Sequence, residues 1–353
     1  QGVMTSTNSI IANNAISNNL ATVGGTFVSL GYNLSNNWNG LSIQPSDKTG
    51  DPLLNPLADN GGATWTHAVQ IGSPAINSAN PATALPTDQR GAPRQGVPDI
   101  GAYEYSDCPL PPFIVQTAND NGTGSLRTLI ACATPNATIT FNSSLAGQTI
   151  VLSSGALIVN VPITVDGSGA ANVRISGNNL TRIFSATAPL TLNALTLHNG
   201  AATGTGGAIN TTSALTLTNV NVYTSTATGN GGGVAAQGAT SISGGMFQNN
   251  RCTAGGCGGG GLFVNTTLNL TGTQFISNSA NTGGGLYGFG TTALTNAQFI
   301  SNTTPVWGGA GARIDGPATV TGGLFQTNRA QLEGGGLLTF GTLVLSGTQF
   351  IAN

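Results

Sequence analysis

The chain has 353 residues and a formal net charge of −2; only 6% of its residues are charged and 39% are apolar. Disordered chains carry charge and avoid apolar residues, so this composition predicts a folded protein, and so weak a net charge offers no field to nucleic acid or to an anionic membrane. The 53 glycines lack the three-residue period of collagen, and no apolar run reaches the roughly 18 residues of a membrane-spanning helix.

In chain order, residues 1–40 read as a final coil of a repeat structure, because Ile10-Ile-Ala-Asn13 echoes Phe350-Ile-Ala-Asn353. Gln1 already stands in repeat-like sequence, so no leader peptide is expected. Residues 51–106 hold Asp51-Pro-Leu-Leu-Asn-Pro-Leu57, Asn60-Gly-Gly62, Gly72-Ser-Pro-Ala-Ile76, Asp88-Gln-Arg-Gly91 and Asp99-Ile-Gly-Ala-Tyr-Glu104. These motifs resemble the carboxy-terminal end of β-helical surface proteins of the choice-of-anchor type, which implies an irregular C-terminal cap. The charges here are dense for this chain. Asp88, Arg90, Arg94, Asp99 and Glu104 are expected to form internal pairs that tie the cap together; a sugar or calcium site is the functional alternative. The predicted division is 1–106 for the last coils and cap of one module, 107–112 for a proline-stiffened linker, and 113–353 for the start of a second module.

Ser125 is a predicted N-cap for a short helix with Leu126, Leu129 and Ile130 on one face. The stretch 113–140 resembles the amino-terminal cap of large secreted bacterial β-helix proteins, and coils are expected from near Thr138.

From residue 190 onward three columns recur. The first is aliphatic: Leu192, Leu217, Ile242, Leu270, Leu294, Val320 and Leu345, at steps of 25, 25, 28, 24, 26 and 25. Five residues after each comes Leu197, Val222, Phe247, Phe275, Phe299, Phe325 or Phe350, and a glycine cluster follows. Around the first column the sequence alternates with period two, as in Leu268-Asn-Leu270, which is the pattern of strands with one buried face. Short strands and bends repeating every 25 or so residues make one coil of a solenoid. The predicted fold is therefore all-β, a right-handed parallel β-helix with like side chains laddered inside. Asn250, Asn278, Asn302, Asn328 and Asn353 each lie three residues after the second column and are expected to stack at a corner.

Phe275-Ile-Ser-Asn278 with Gly284-Gly-Leu286, and Phe247-Gln-Asn-Asn250, resemble the repeat of polymorphic outer-membrane proteins, which are β-helical passengers and adhesins. Gly308-Gly-Ala-Gly-Ala312 departs from that pattern, and the first two coils lack the phenylalanine.

Four cysteines, an even number, fit an oxidising compartment. Cys252 and Cys257 share a Gly-rich loop with no histidine near, so a local disulfide is expected rather than zinc; Cys108 is expected to pair with Cys132, tying the linker to the helix. A catalytic centre is not expected. Between residues 190 and 353 the only acids are Asp315 and Glu333, 18 residues apart, which does not put them at equal positions in successive coils, and glycoside cleavage needs a convergent pair. His67 and His198 read as satisfied polar residues, and Trp38, Trp65 and Trp307 as packing residues; no metal or cofactor is expected. Asn33 and Asn302 stand in glycosylation sequons. The function expected is that of an extracellular structural or adhesive surface protein, not an enzyme. Modules are expected to stack head to tail through Val3, Ile10 and Asn13 on one side and Leu343, Phe350 and Asn353 on the other. Cell-surface glycans are a second class of partner, and a polysaccharide-binding or polysaccharide-cleaving β-helix is the alternative.

Overall fold

The structure is a computed structural model describing residues 2–13, 25–38, 40–94, 96–106, 108 and 111–353. Two compact units result, Gln1–Asp107 and Cys108–Asn353. The linker expected at 107–112 lies partly outside the described residues.

The second unit is a parallel β-solenoid. Three long parallel sheets of ten, nine and eight strands run along it. The ten-stranded sheet carries the first column in register, Leu192 to Leu217, Ile242, Leu270, Leu294, Val320 and Leu345. Upstream it continues through Val165 and Ile139 to Phe113. Coils thus begin at the strand Phe113–Val115 rather than near Thr138. The nine-stranded sheet aligns Ile150, Ile175, Leu197, Val222 and the five phenylalanines. Their rings stack with centroids 4.7–4.9 Å apart and planes within 13°, which is the strand spacing of a sheet. Each ring therefore sits offset by one coil, and the column is a continuous apolar rod.

The third sheet was not legible as a strand. It holds the aliphatic residues just after each glycine cluster, such as Val234, Leu262, Leu286 and Ala312, again in register. The glycines turn the chain into it. Gly283 has φ +56, and a methyl on Gly285 would stand 2.5 Å from the Gly311 carbonyl oxygen of the next coil. The first position needs the left-handed region and the last needs room for a neighbouring backbone.

Leu192, Leu217, Ile242, Leu270, Leu294 and Val320 are at most 2% exposed, and Phe247, Phe275, Phe299 and Phe325 are fully buried. Leu345 and Phe350 depart from the expected burial, at 46% and 45% exposed. Both keep their place in the register, and no described coil packs on their other side.

The predicted helix forms at Leu126–Cys132, where the Ser125 side chain accepts from the Thr128 N–H and Leu126, Leu129 and Ile130 are buried. It packs against the strand Leu157–Val159, the outermost strand of the third sheet. That edge would otherwise expose unpaired backbone groups. Both expected disulfides are formed, Cys108–Cys132 and Cys252–Cys257, with Cα atoms 5.1 and 6.1 Å apart. Closing the 24-residue separation stabilises by about 3 kcal/mol through the unfolded chain. Alkylation of the native protein without reductant is expected to label no thiol; labelling of all four would contradict this pairing.

The first unit has a small apolar core of Leu34, Val69, Ala75, Ala79 and Ile100. Parallel pairs Val3–Ser6 with Thr26–Ser29 and Leu34–Ser35 with Lys48–Thr49 make short coils. Beyond them lies an antiparallel hairpin, Leu54–Ala58 with Thr66–Val69, and irregular chain to residue 106.

Candidate functional site

The asparagines three residues after the phenylalanines form a directional ladder at one corner. In Asn302, Nδ2 donates to the Phe275 carbonyl oxygen of the preceding coil at 2.8 Å, and the backbone N–H and Nδ2 both donate to the Asn328 Oδ1 of the following coil at 3.0 and 2.9 Å. Asn250, Asn278 and Asn328 repeat this pattern. All four are at most 1% exposed, so the amides are satisfied without water. Each of these four asparagines gives two hydrogen bonds to the following coil.

The ladder starts at a serine. Ser225 N–H donates to Asn250 Oδ1, and Ser225 Oγ accepts from the Gly200 N–H one coil earlier.

The same pattern occurs in the first unit, at residues other than those expected. Ser9 N–H donates to Asn33 Oδ1, Asn33 Nδ2 donates to the Ser6 carbonyl oxygen, and Asn33 N–H and Nδ2 donate to Asp47 Oδ1. The residue before the ladder position has positive φ in both units, as at Asn8 and Tyr32 and at Ser277 and Ser301. Ser6 thus stands in the phenylalanine column and Ser9 in the asparagine column. The expected equivalence of Ile10 with Phe350 and of Asn13 with Asn353 is off by four residues. Ile10 bridges Leu34 as Ser279 bridges Thr303, one step past the ladder.

Asp47 is suited to end such a ladder, because a carboxylate only accepts. It takes Ser29 Oγ, the Gln44 N–H and both Asn33 donors. Burial alone would raise its pKa, but these hydrogen bonds outweigh it and hold the carboxyl below its ordinary value.

In the cap, Asp88 pairs with Arg90 at 2.7 Å and Glu104 with Arg94 at 2.8 Å, and all four side chains are at most 10% exposed. Arg90 also lies 3.7 Å over the Tyr103 ring. Asp99 accepts from the backbone of Asn77 and Tyr105, yet burial, with Glu104 adding to it, pushes its pKa up. For Asp88, burial works upward but the Glu104 N–H and Arg90 bring its pKa below the ordinary value. The depressed carboxyls Asp47 and Asp88 stabilise the unit above the unfolded value near 4, and that stability is lost as pH falls through their lower folded values; Asp99 acts with the opposite sign. Protection against hydrogen exchange at Leu34 and Val69, relative to the intrinsic rate at each pH, is therefore expected to fall below about pH 4.

The remaining candidates separate. Asn33 and Asn302 are fully buried, so neither sequon is open to a glycan in the folded chain. Trp38 is packed, but Trp65 and Trp307 are 63% and 40% exposed, against expectation. Asp315 is held by Arg313 at 2.8 Å and accepts from the Tyr287 hydroxyl at 2.8 Å. His67 Nδ1 meets the Asn55 carbonyl at 2.7 Å. His198 is not fully satisfied: its Nε2 is buried without a partner. Among the described residues no group of three metal-binding side chains occurs, and no helix is long and apolar enough to cross a membrane. Compared with known proteins, the chain matches no family model and no curated protein sequence.

Proposed function

We propose that this is an extracellular structural or adhesive surface protein whose β-solenoid modules stack coil on coil into fibres. The observation that carries the proposal is the direction of the amide ladder. In the second unit it runs from Ser225 to Asn353, which donates Nδ2 to the Phe325 carbonyl oxygen behind it. In the first unit it runs from Ser9 and stops at Asp47, an acceptor. A coil carrying Ser9 accepts what Asn353 offers, as Ser225 accepts from Gly200, and the joined ladder then has a start, a direction and an end.

Edge strands template pairing, and a head-to-tail contact propagates as a filament. The neighbouring module comes from another copy or from tandem repetition along one chain; both put the same coils together. Two disulfides support an oxidising location, and the resemblance of the repeats to polymorphic outer-membrane proteins supports a surface role. Electron microscopy of the purified protein is expected to show filaments one solenoid wide. A monodisperse monomer with both edge coils in fast hydrogen exchange would contradict the proposal.

A further inference from the structure

A polar groove of about 480 Å³ runs along the outer face of the nine-stranded sheet, lined by Asn172, Arg174, Thr196, His198, Asn221, Tyr223 and Thr224. Three successive strands, Arg174–Ser176, Thr196–His198 and Asn221–Tyr223, set these side chains in register. Arg174, Thr196 and Asn221 form one outward column; His198 and Tyr223 stand beside it in the next. Neighbouring strands lie about 4.8 Å apart, so the groove presents a row of donors across three coils.

The electrostatics of this groove are unbalanced. Residues 108–353 contain six arginines and four carboxylates, a formal +2. Asp120 and Asp315 are already paired with Arg127 and Arg313. Among the described residues the Arg174 guanidinium has no carboxylate or hydrogen-bond partner, and His198 Nε2 is buried without one. Burial, and then the Arg174 charge, lower the pKa of His198, so its imidazole is neutral; burial raises that of Tyr223, so its hydroxyl remains a donor.

We infer that this groove binds a carboxylate-bearing sugar, a uronate unit of an acidic polysaccharide. One planar guanidinium matches one carboxylate in a two-point contact. A single cation fits a monoanion better than a phosphate dianion. The amides of Asn172 and Asn221, the Thr196 and Thr224 hydroxyls and the Tyr223 hydroxyl are suited to ring hydroxyls. This site is separate from the stacking edges and does not depend on them.

The test is titration of the intact protein with trigalacturonate, followed by NMR and calorimetry. Its fully methyl-esterified form and inorganic phosphate serve as parallel probes. Saturable binding is expected, with shifts at His198 and Tyr223. Methyl esterification and Arg174→Gln should each weaken it at least about tenfold, the scale of one charge-assisted contact. Arg251→Gln, at an exposed arginine elsewhere on the solenoid, should leave it unchanged. Arg174 is exposed, so its variant keeps the fold, which an unchanged melting temperature verifies. The inference is overturned by absent saturation, by equal binding of the ester, by tighter binding of phosphate, or by an equal loss in Arg251→Gln.

Discussion

Replacing Asn302 with leucine is expected to destabilise the solenoid by on the order of 3–6 kcal/mol, among the largest effects of any single substitution. Leucine fits the volume but strands three groups at once. Asn278 N–H and Nδ2 lose their common acceptor, and the Phe275 carbonyl oxygen loses its donor. All are buried, and each orphaned group costs about 1–3 kcal/mol. Asn302→Asp separates the contributions. It keeps the acceptor for Asn278 but sets an oxygen against the Phe275 carbonyl. Its deficit should narrow as pH falls, because the protonated carboxyl can donate there. Guanidinium unfolding of the three proteins at two pH values measures this. A loss below about 1 kcal/mol for Asn302→Leu would show that the ladder is incidental to stability.

In the first unit the largest effect is expected from Arg94→Met, about 3–5 kcal/mol. The apolar core cluster of this unit is small, and the buried pairs Asp88–Arg90 and Glu104–Arg94 organise its cap. Arg94 donates to Glu104 and to the carbonyl oxygens of Asp99 and Gly101. Its loss removes the Arg94 guanidinium from the Glu104 carboxylate, which is 3% exposed. Adding Glu104→Gln should recover part of the deficit, because it removes the buried charge that Arg94 balances; hydrogen exchange at Ile100 and Ala75 reads it out. A double variant worse than the single one would contradict the account.

The two long inward columns were legible because they repeat at nearly constant spacing with Phe and Gly as markers. Between residues 113 and 185 the same columns exist, but Ile139, Val165, Ile150 and Ile175 lack those markers, and a helix interrupts the period. The third sheet is not legible in the sequence, because Val234, Leu262 and Leu286 directly follow the glycines, within segments whose glycines mask strand character. In the first unit the string Ile-Ile-Ala-Asn imitated the repeat. There the phenylalanine position holds Ser6, whose hydroxyl bonds Asn33 Oδ1, so polar contact replaces ring stacking and hydrophobic pattern no longer reports register. The charged cap pairs were foreseen because carboxylates and arginines so concentrated in a weakly charged chain must satisfy one another. The groove at Arg174 was not foreseen, since its residues lie on three separate coils and only stacking brings them together.

The stacking contact is tested most directly by cysteine cross-linking between copies. The ladder register sets Phe350 beside Ser6 and hence Gln349 beside Thr5, at the roughly 4.8 Å of neighbouring strands, which a disulfide can span. The alternative register read from Ile10-Ile-Ala-Asn13 would set Gln349 beside Ser9. A protein carrying Thr5→Cys and Gln349→Cys is expected to form a ladder of covalent oligomers under mild oxidation, and one carrying Ser9→Cys and Gln349→Cys is not. Monomer alone from the first protein, or equal cross-linking from the second, would contradict coil-on-coil stacking in this register.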